Sequence, residues 1–237
     1  VIQGAALWRA GLLALSLLGA GAQANERLPM TDVRFSASGE RVLIVVSGEQ
    51  DGSGFGQAAF SVLSTRSGAV LASRTVVDEN AIALEVRRNL LAATTTQTLL
   101  RSMGLHSARA SVPRYQRAYP APYPRWEDGV RPGAVQVTPV PLWSRPVPVS
   151  LKVVPLPASA CDQPELLLPG ERPAGFELRV GGQLVRRQLS AGSRCVSRYT
   201  LERVDVQGNR VLLALRAYAM GFEGPDALPV FVAVTVK

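Results

Sequence analysis

Short runs of Val, Ile, Leu and Phe separated by Ser-Gly turns fill most of this chain, and they predict β-hairpins. From Val33 the run "DVRFS" passes through Ala37-Ser38-Gly39-Glu40 into the apolar "RVLIVVS". After a glycine-rich stretch come "QAAFSVLST", the turn Arg66-Ser67-Gly68, and "AVLASRTVV". Such runs bounded by turn residues read as strands, and strands this apolar are covered on at least one face. The final third returns to the pattern. "GFELRV" and "QLVRRQL" flank Gly181-Gly182, then "RYTLERVDV", the turn Gln207-Gly208-Asn209, "RVLLALRAYA" and "PVFVAVTV" follow.

The pattern breaks in two places. Between Asp78 and Met103 the period becomes helical, with Ile82, Val86, Leu90 and Leu91 on one stripe and Leu99, Leu100 and Met103 continuing it. Asp78 is the candidate cap and Gly104 the stop, while Thr94-Thr95-Thr96 weakens the middle into a kink or a second helix. Residues 112–157 hold most of the chain's 17 prolines. Proline removes backbone donors and favours extended geometry, so a regular helix is excluded there. Tyr115, Tyr119, Tyr123, Trp126 and Trp143 sit among its arginines. The stretch reads as a linker, with a partner-binding arm as the alternative and "VPVSLKVVPL" entering a strand.

An internal echo relates the two β regions. Gly39, Arg41, Val42 and Leu43 correspond to Gly208, Arg210, Val211 and Leu212, and each copy crosses a Gly-Phe loop into a second strand near Phe60 or Phe231. Two similar strand-loop-strand units are expected to pack against one another. The predicted fold is mainly β with one helical segment, its antiparallel meanders packed as a β-sandwich or a partial propeller-like assembly. The expected divisions are a targeting segment at 1–24, a β-meander plus helix at 25–111, the linker at 112–157 and a second β-meander at 158–237, with 25–237 forming one compact unit.

Composition adds location. Trp8 and Arg9 lead into "AGLLALSLLGAGA" and then Ala22-Gln23-Ala24, the layout of a secretory signal peptide cut after Ala24. The apolar run is shorter than the roughly 18–20 residues a bilayer requires, so the mature chain is not expected to span a membrane. Two cysteines, Cys161 and Cys195, then predict a disulfide in a periplasmic or secreted protein of a bacterial envelope. The net charge of +8, carried almost entirely by arginine, favours an envelope protein with acidic surface or another anionic envelope component as partner. Nucleic acid is not expected in that compartment.

The stretch "FSASGERVLIVVSGEQDGSGFGQAAFSVL" resembles the opening of a family of predicted secreted bacterial proteins of unknown function. The resemblance continues to Gly104-Leu105. It returns at Cys161, in "GFELRV", at Ser193-Arg194-Cys195 with Tyr199, and in the "GFEGPD" run ending at Asp226. It implies export and a β-rich fold and carries no activity. "FSASGERVLIVVSG" also resembles a strand pair of a β-propeller repeat, but Ser38 stands where Asp is usual and only one good copy exists.

Candidate chemistry centres on "GEQDGSGFG". Glu49, Asp51 and Ser53 stand at alternate positions, as oxygen ligands of a calcium loop do. The twelfth place is Phe60 instead of a bidentate Glu, and the flanking elements are strands. Gly52, Gly54 and Phe55, with Phe222, Glu223 and Asp226 of the echoing loop, form the candidate binding loops. No nucleophile elbow, zinc spacing or phosphate loop occurs, and His106 is the sole histidine. The expected function is a non-catalytic envelope β-protein that binds a partner or ligand without a cofactor. The alternative is a weak calcium binder or a carboxylate-dependent hydrolase of envelope polymer.

Overall fold

Four strands form an antiparallel meander in sequential order: Met30–Phe35 (β1), Arg41–Glu49 (β2), Gly56–Ser64 (β3) and Val70–Asp78 (β4). The computed structural model describes residues 26–50, 52–191, 194–221 and 224–236, so the proposed signal peptide lies outside the described residues. The apolar run of β2 is explained by burial on both faces. Leu43 and Val45 point to one side, Val42 and Ile44 to the other, and all four are almost fully excluded from solvent. On the first side lie two helices, Ala83–Ala92 (α1) and Thr94–Ser102 (α2), whose Val86, Leu90 and Leu100 pack against Leu43, Val45 and Phe60.

The helical start differs from the expected one. Asp78 ends β4, and its carboxylate accepts the N–H of Asn80 at 2.9 Å, a local turn that consumes the capping oxygen. Ile82 precedes α1 and gives no side-chain cap. The threonine run separates the two helices: Ala93 leaves helical geometry at φ −55°, ψ 133°, and Thr94 begins α2. Gly104 supplies the stop at φ +68°, where the Leu105 N–H returns to the carbonyl of Leu100 at 2.8 Å.

The remaining strands are Tyr115–Gln116 (β5), Val135–Val140 (β6), Val147–Pro155 (β7), Ala174–Val180 (β8), Gln183–Gln188 (β9), Arg198–Gln207 (β10), Arg210–Met220 (β11) and Pro225–Thr235 (β12). They make two more antiparallel sheets, ordered β12-β11-β10-β5 and β6-β7-β8-β9. The sheet of β10–β12 lies between the other two. Leu201, Leu213 and Leu215 on one face meet Leu151, Phe176 and Leu178 of the third sheet. Leu212 and Ala233 on the other meet Val33, Val42, Ile44 and Leu63 of the first. Burying a Val or Leu fully is worth about 1.5–3 kcal/mol, and a sheet covered on both faces collects that gain twice.

The echoing hairpins pack as expected. β2–β3 and β11–β12 meet in the Ile44, Leu63, Leu212 and Ala233 cluster. The ends of the two hairpins are also tied: Gln207 Nε2, ahead of β11, donates to the carbonyls of Ser36 and Ala37, ahead of β2, and Thr235 Oγ1 at the end of β12 donates to that of Thr65, just past β3.

The proline-rich stretch differs from a linker: it contributes β5, β6 and β7. Its prolines fit because Pro139 lies opposite Pro148, so two missing donors fall at one cross-strand pair. Gly181 and Gly182 turn β8 into β9 with φ of +58° and +87°, as a tight hairpin demands. Cys161 and Cys195 are joined in a disulfide, with Cα atoms 4.9 Å apart, which ties the loop after β7 to the entrance of β10.

Candidate functional site

The glycine-rich stretch closes β2 onto β3. Gln50 N–H donates to Phe55 O at 2.9 Å, and Gly54 N–H donates to Gln50 O at 2.8 Å. Gly52 and Gly54 take φ of +84° and +70°, a region open to glycine at no steric cost. The Ser53 hydroxyl donates to Gln50 Oε1 and accepts the Phe55 N–H, both at 3.3 Å. Glu49 is exposed at the end of β2. Asp51, Phe222 and Glu223 lie outside the described residues. Among the described residues no group of three His, Cys, Asp or Glu side chains lies close enough to hold a metal ion.

Asp226 is placed elsewhere, at the start of β12, 2% exposed and paired with Arg194. It accepts the backbone N–H of Glu26 at 3.0 Å. Burial pushes both carboxyls upward, and for Glu26 the neighbouring Asp226 charge adds to the push while Arg194 and Arg216 oppose it.

Around this end of the central sheet runs a buried ionic network. Arg216 of β11 is fully buried, places its Nε 2.6 Å from Glu202 of β10, and donates to the carbonyls of Leu28 and Ala227. Arg27 pairs with Asp128 at 2.8 Å and stacks 3.6 Å from the centre of the Tyr119 ring. Arg198 pairs with Glu171 and lies over Trp126. Burial pushes the Tyr218 phenol up to about 12. Of the aromatics in the proline-rich stretch, Tyr119 and Trp126 thus pack against these arginines, Trp143 donates its indole N–H to Gly208 O while partly exposed, and Tyr123 is more than half exposed.

A groove lies on the opposite side of the molecule's first sheet. The helices pack on β2, β3 and part of β4, and β1 presents Asp32 and Arg34, opposite Val45 and Leu43, on the same face. Between β1 and the helices is an open cavity of about 530 Å³. Leu43 of β2 lines its base. Leu84, Leu91 and Leu100 supply apolar walls from α1 and α2, and Thr31, Asp32 and Arg34 form the β1 wall. Arg34 is neutralised by Asp32 at 2.6 Å. Arg87 and Arg88 of α1 also line the groove, and neither carries an ion pair among the described residues. His106 stands at its end, exposed. The groove therefore combines apolar walls with two arginine forks left without a counter-charge.

The sequence places Leu91 and Leu100 on a core stripe and Leu43 in the echoing strand, and it marks no groove residue as a site. Arg87-Arg88 in an amphipathic helix is an ordinary solvated pair until the fold places a cavity beside it. The available signal was the pairing of two arginines with the exposed Leu84 on the outward side of α1.

Residues 45–235 match the model of the family described as "Predicted secreted protein (DUF2259)", and the chain belongs to that family. The matched span includes the proline-rich middle, which the resemblance read from the sequence left aside. No curated protein and no solved structure matches the chain.

Proposed function

We propose that this is an exported, non-catalytic protein that binds an anionic component of the bacterial envelope. The observation that carries the reading is the pair Arg87 and Arg88, unpaired among the described residues at the mouth of an apolar-walled groove. A guanidinium offers a planar fork of donors that matches carboxylate or phosphate oxygens. Export is supported by the family's description and by the targeting pattern at residues 1–24, with cleavage after Ala24. The net charge of +8 raises the local concentration of anions and speeds encounter.

The test is flotation of the mature chain with vesicles. Binding is expected to phosphatidylglycerol vesicles and not to phosphatidylcholine vesicles, to weaken with salt, and to fall at least tenfold in Arg87→Gln/Arg88→Gln. Equal binding by that double variant would overturn the role of the groove.

A further inference from the structure

We infer that the groove holds a single-chain anionic lipid, its head on the two arginines and its acyl chain along the leucine walls. This rests on the reading that the groove binds an envelope anion, and it adds the chemical class of the occupant. Three observations carry it.

The first is the separation of chemistries within one cavity. Leu43, Leu84, Leu91 and Leu100 lie along its walls, while the uncompensated cations are Arg87 and Arg88 on α1. The facing carboxylate, Asp32, accepts Arg34 Nη2 and Nε on its Oδ2 at 2.6 and 2.7 Å, so that pair adds no net charge to the groove. A small hydrophilic anion would use the arginines and leave Leu84 and the half-buried Leu91 wet. An uncharged hydrocarbon would use the leucines and leave the cations unanswered. A molecule with both parts uses both.

The second is size. A cavity of about 530 Å³ lies within the ordinary range of roughly 300–1,000 Å³ for small-ligand sites. An extended acyl chain is thin enough to lie within it.

The third is the way the groove is built. Leu84 is 57% exposed on a helix whose Val86 and Leu90 are buried. It lines the groove across from Asp32 and Arg34 of β1, and its exposed side chain is apolar surface that a hydrocarbon chain would cover.

Calorimetry of the mature chain with sodium dodecanoate below its micellar concentration tests the inference, with butanoate and dodecyl maltoside as controls. Each methylene buried is worth roughly a fourfold gain in affinity, so dodecanoate is expected to bind at least a hundredfold more tightly than butanoate. Dodecyl maltoside, which lacks the charge, is expected to bind at least tenfold more weakly than dodecanoate. Leu84→Gln changes an exposed side chain and is expected to leave folding intact. It should weaken dodecanoate severalfold. Butanoate and dodecanoate binding equally would overturn the lipid assignment while vesicle selectivity left the broader reading standing. An acidic amphipathic peptide that displaced dodecanoate at lower concentration would also overturn it. Loss of anion selectivity altogether would remove both.

Discussion

Arg216 is the residue on which the central sheet depends most sharply. It is fully buried beside Glu202 and holds the carbonyls of Leu28 and Ala227. Removing one member of a buried ion pair strands the other charge, at a cost of about 3–5 kcal/mol. Arg216→Met is therefore expected to lower stability by that amount in urea unfolding, while Arg216→Met with Glu202→Leu recovers much of the loss. A single variant no less stable than the double would show that the pair is not coupled. Glu26 gives a pH test of opposite character. Its carboxyl ionises less readily in the folded chain, first because it is buried and then because Asp226 lies beside it. The native state thus holds the proton longer, and the group's penalty grows as pH rises from 4.5, the ordinary value, through the raised native value. Glu26→Gln should stabilise the protein at pH 7, and the gain should vanish below about pH 4.5. Glu171 works the other way. Its hydrogen bond to Arg198 lowers it, so its contribution is present above 4.5 and is lost as pH falls through the lowered native value. A Glu26→Gln curve parallel to that of the parent chain at every pH would contradict the assignment.

At the scale of elements, the glycines of the opening hairpin divide by cause. Gly54 has a positive φ and open space around it, whereas a side chain at Gly56 would run into the carbonyl of Ala81 and the backbone of Ile82 and Ala83. Gly54→Ala is expected to cost about 1 kcal/mol, the penalty of a left-handed conformation. Gly56→Ala should cost more than about 2 kcal/mol, because backbone must move. Thermal melts of the two variants check the order, and the reverse order would refute it. Both glycines look alike in sequence, where only the turn is visible. The same limit governs the rest of what could be read. Strands and hairpins were legible because Val-rich runs and Gly-Gly or Ser-Gly turns act locally. The echo of β2–β3 in β11–β12 was legible for the same reason. In the proline-rich stretch β7 was legible in "VPVSLKVVPL", whereas β5 and β6 were not, since β5 is held by pairing with β10, distant in sequence, and β6 by pairing with β7. The groove was hidden for a related reason. It exists because α1 and α2 stop short of β1, a matter of packing that no local pattern encodes.

Across the whole molecule, the disulfide is the covalent link between the loop after β7 and β10. Its 34-residue separation corresponds to about 4 kcal/mol in the chain-entropy account. Cys161→Ser/Cys195→Ser is expected to lose about that much stability to urea while retaining the far-ultraviolet circular dichroism of a β protein, since the three-sheet core does not contain the bridge. Collapse of the spectrum in the native buffer would mean that the bridge is a condition of folding. The stacking order has a further consequence. β1 to β4 are made first, yet their inner face is covered by Leu212 and Ala233, on strands near the far end of the chain. A polypeptide emerging amino-terminus first from a ribosome or a membrane pore shows Val33, Val42, Ile44 and Leu63 to its surroundings until β11 and β12 arrive. Such long-range pairing is intrinsically slow. The last strands thus act as the latch: the inner face of the first sheet closes only once β11 and β12 have arrived.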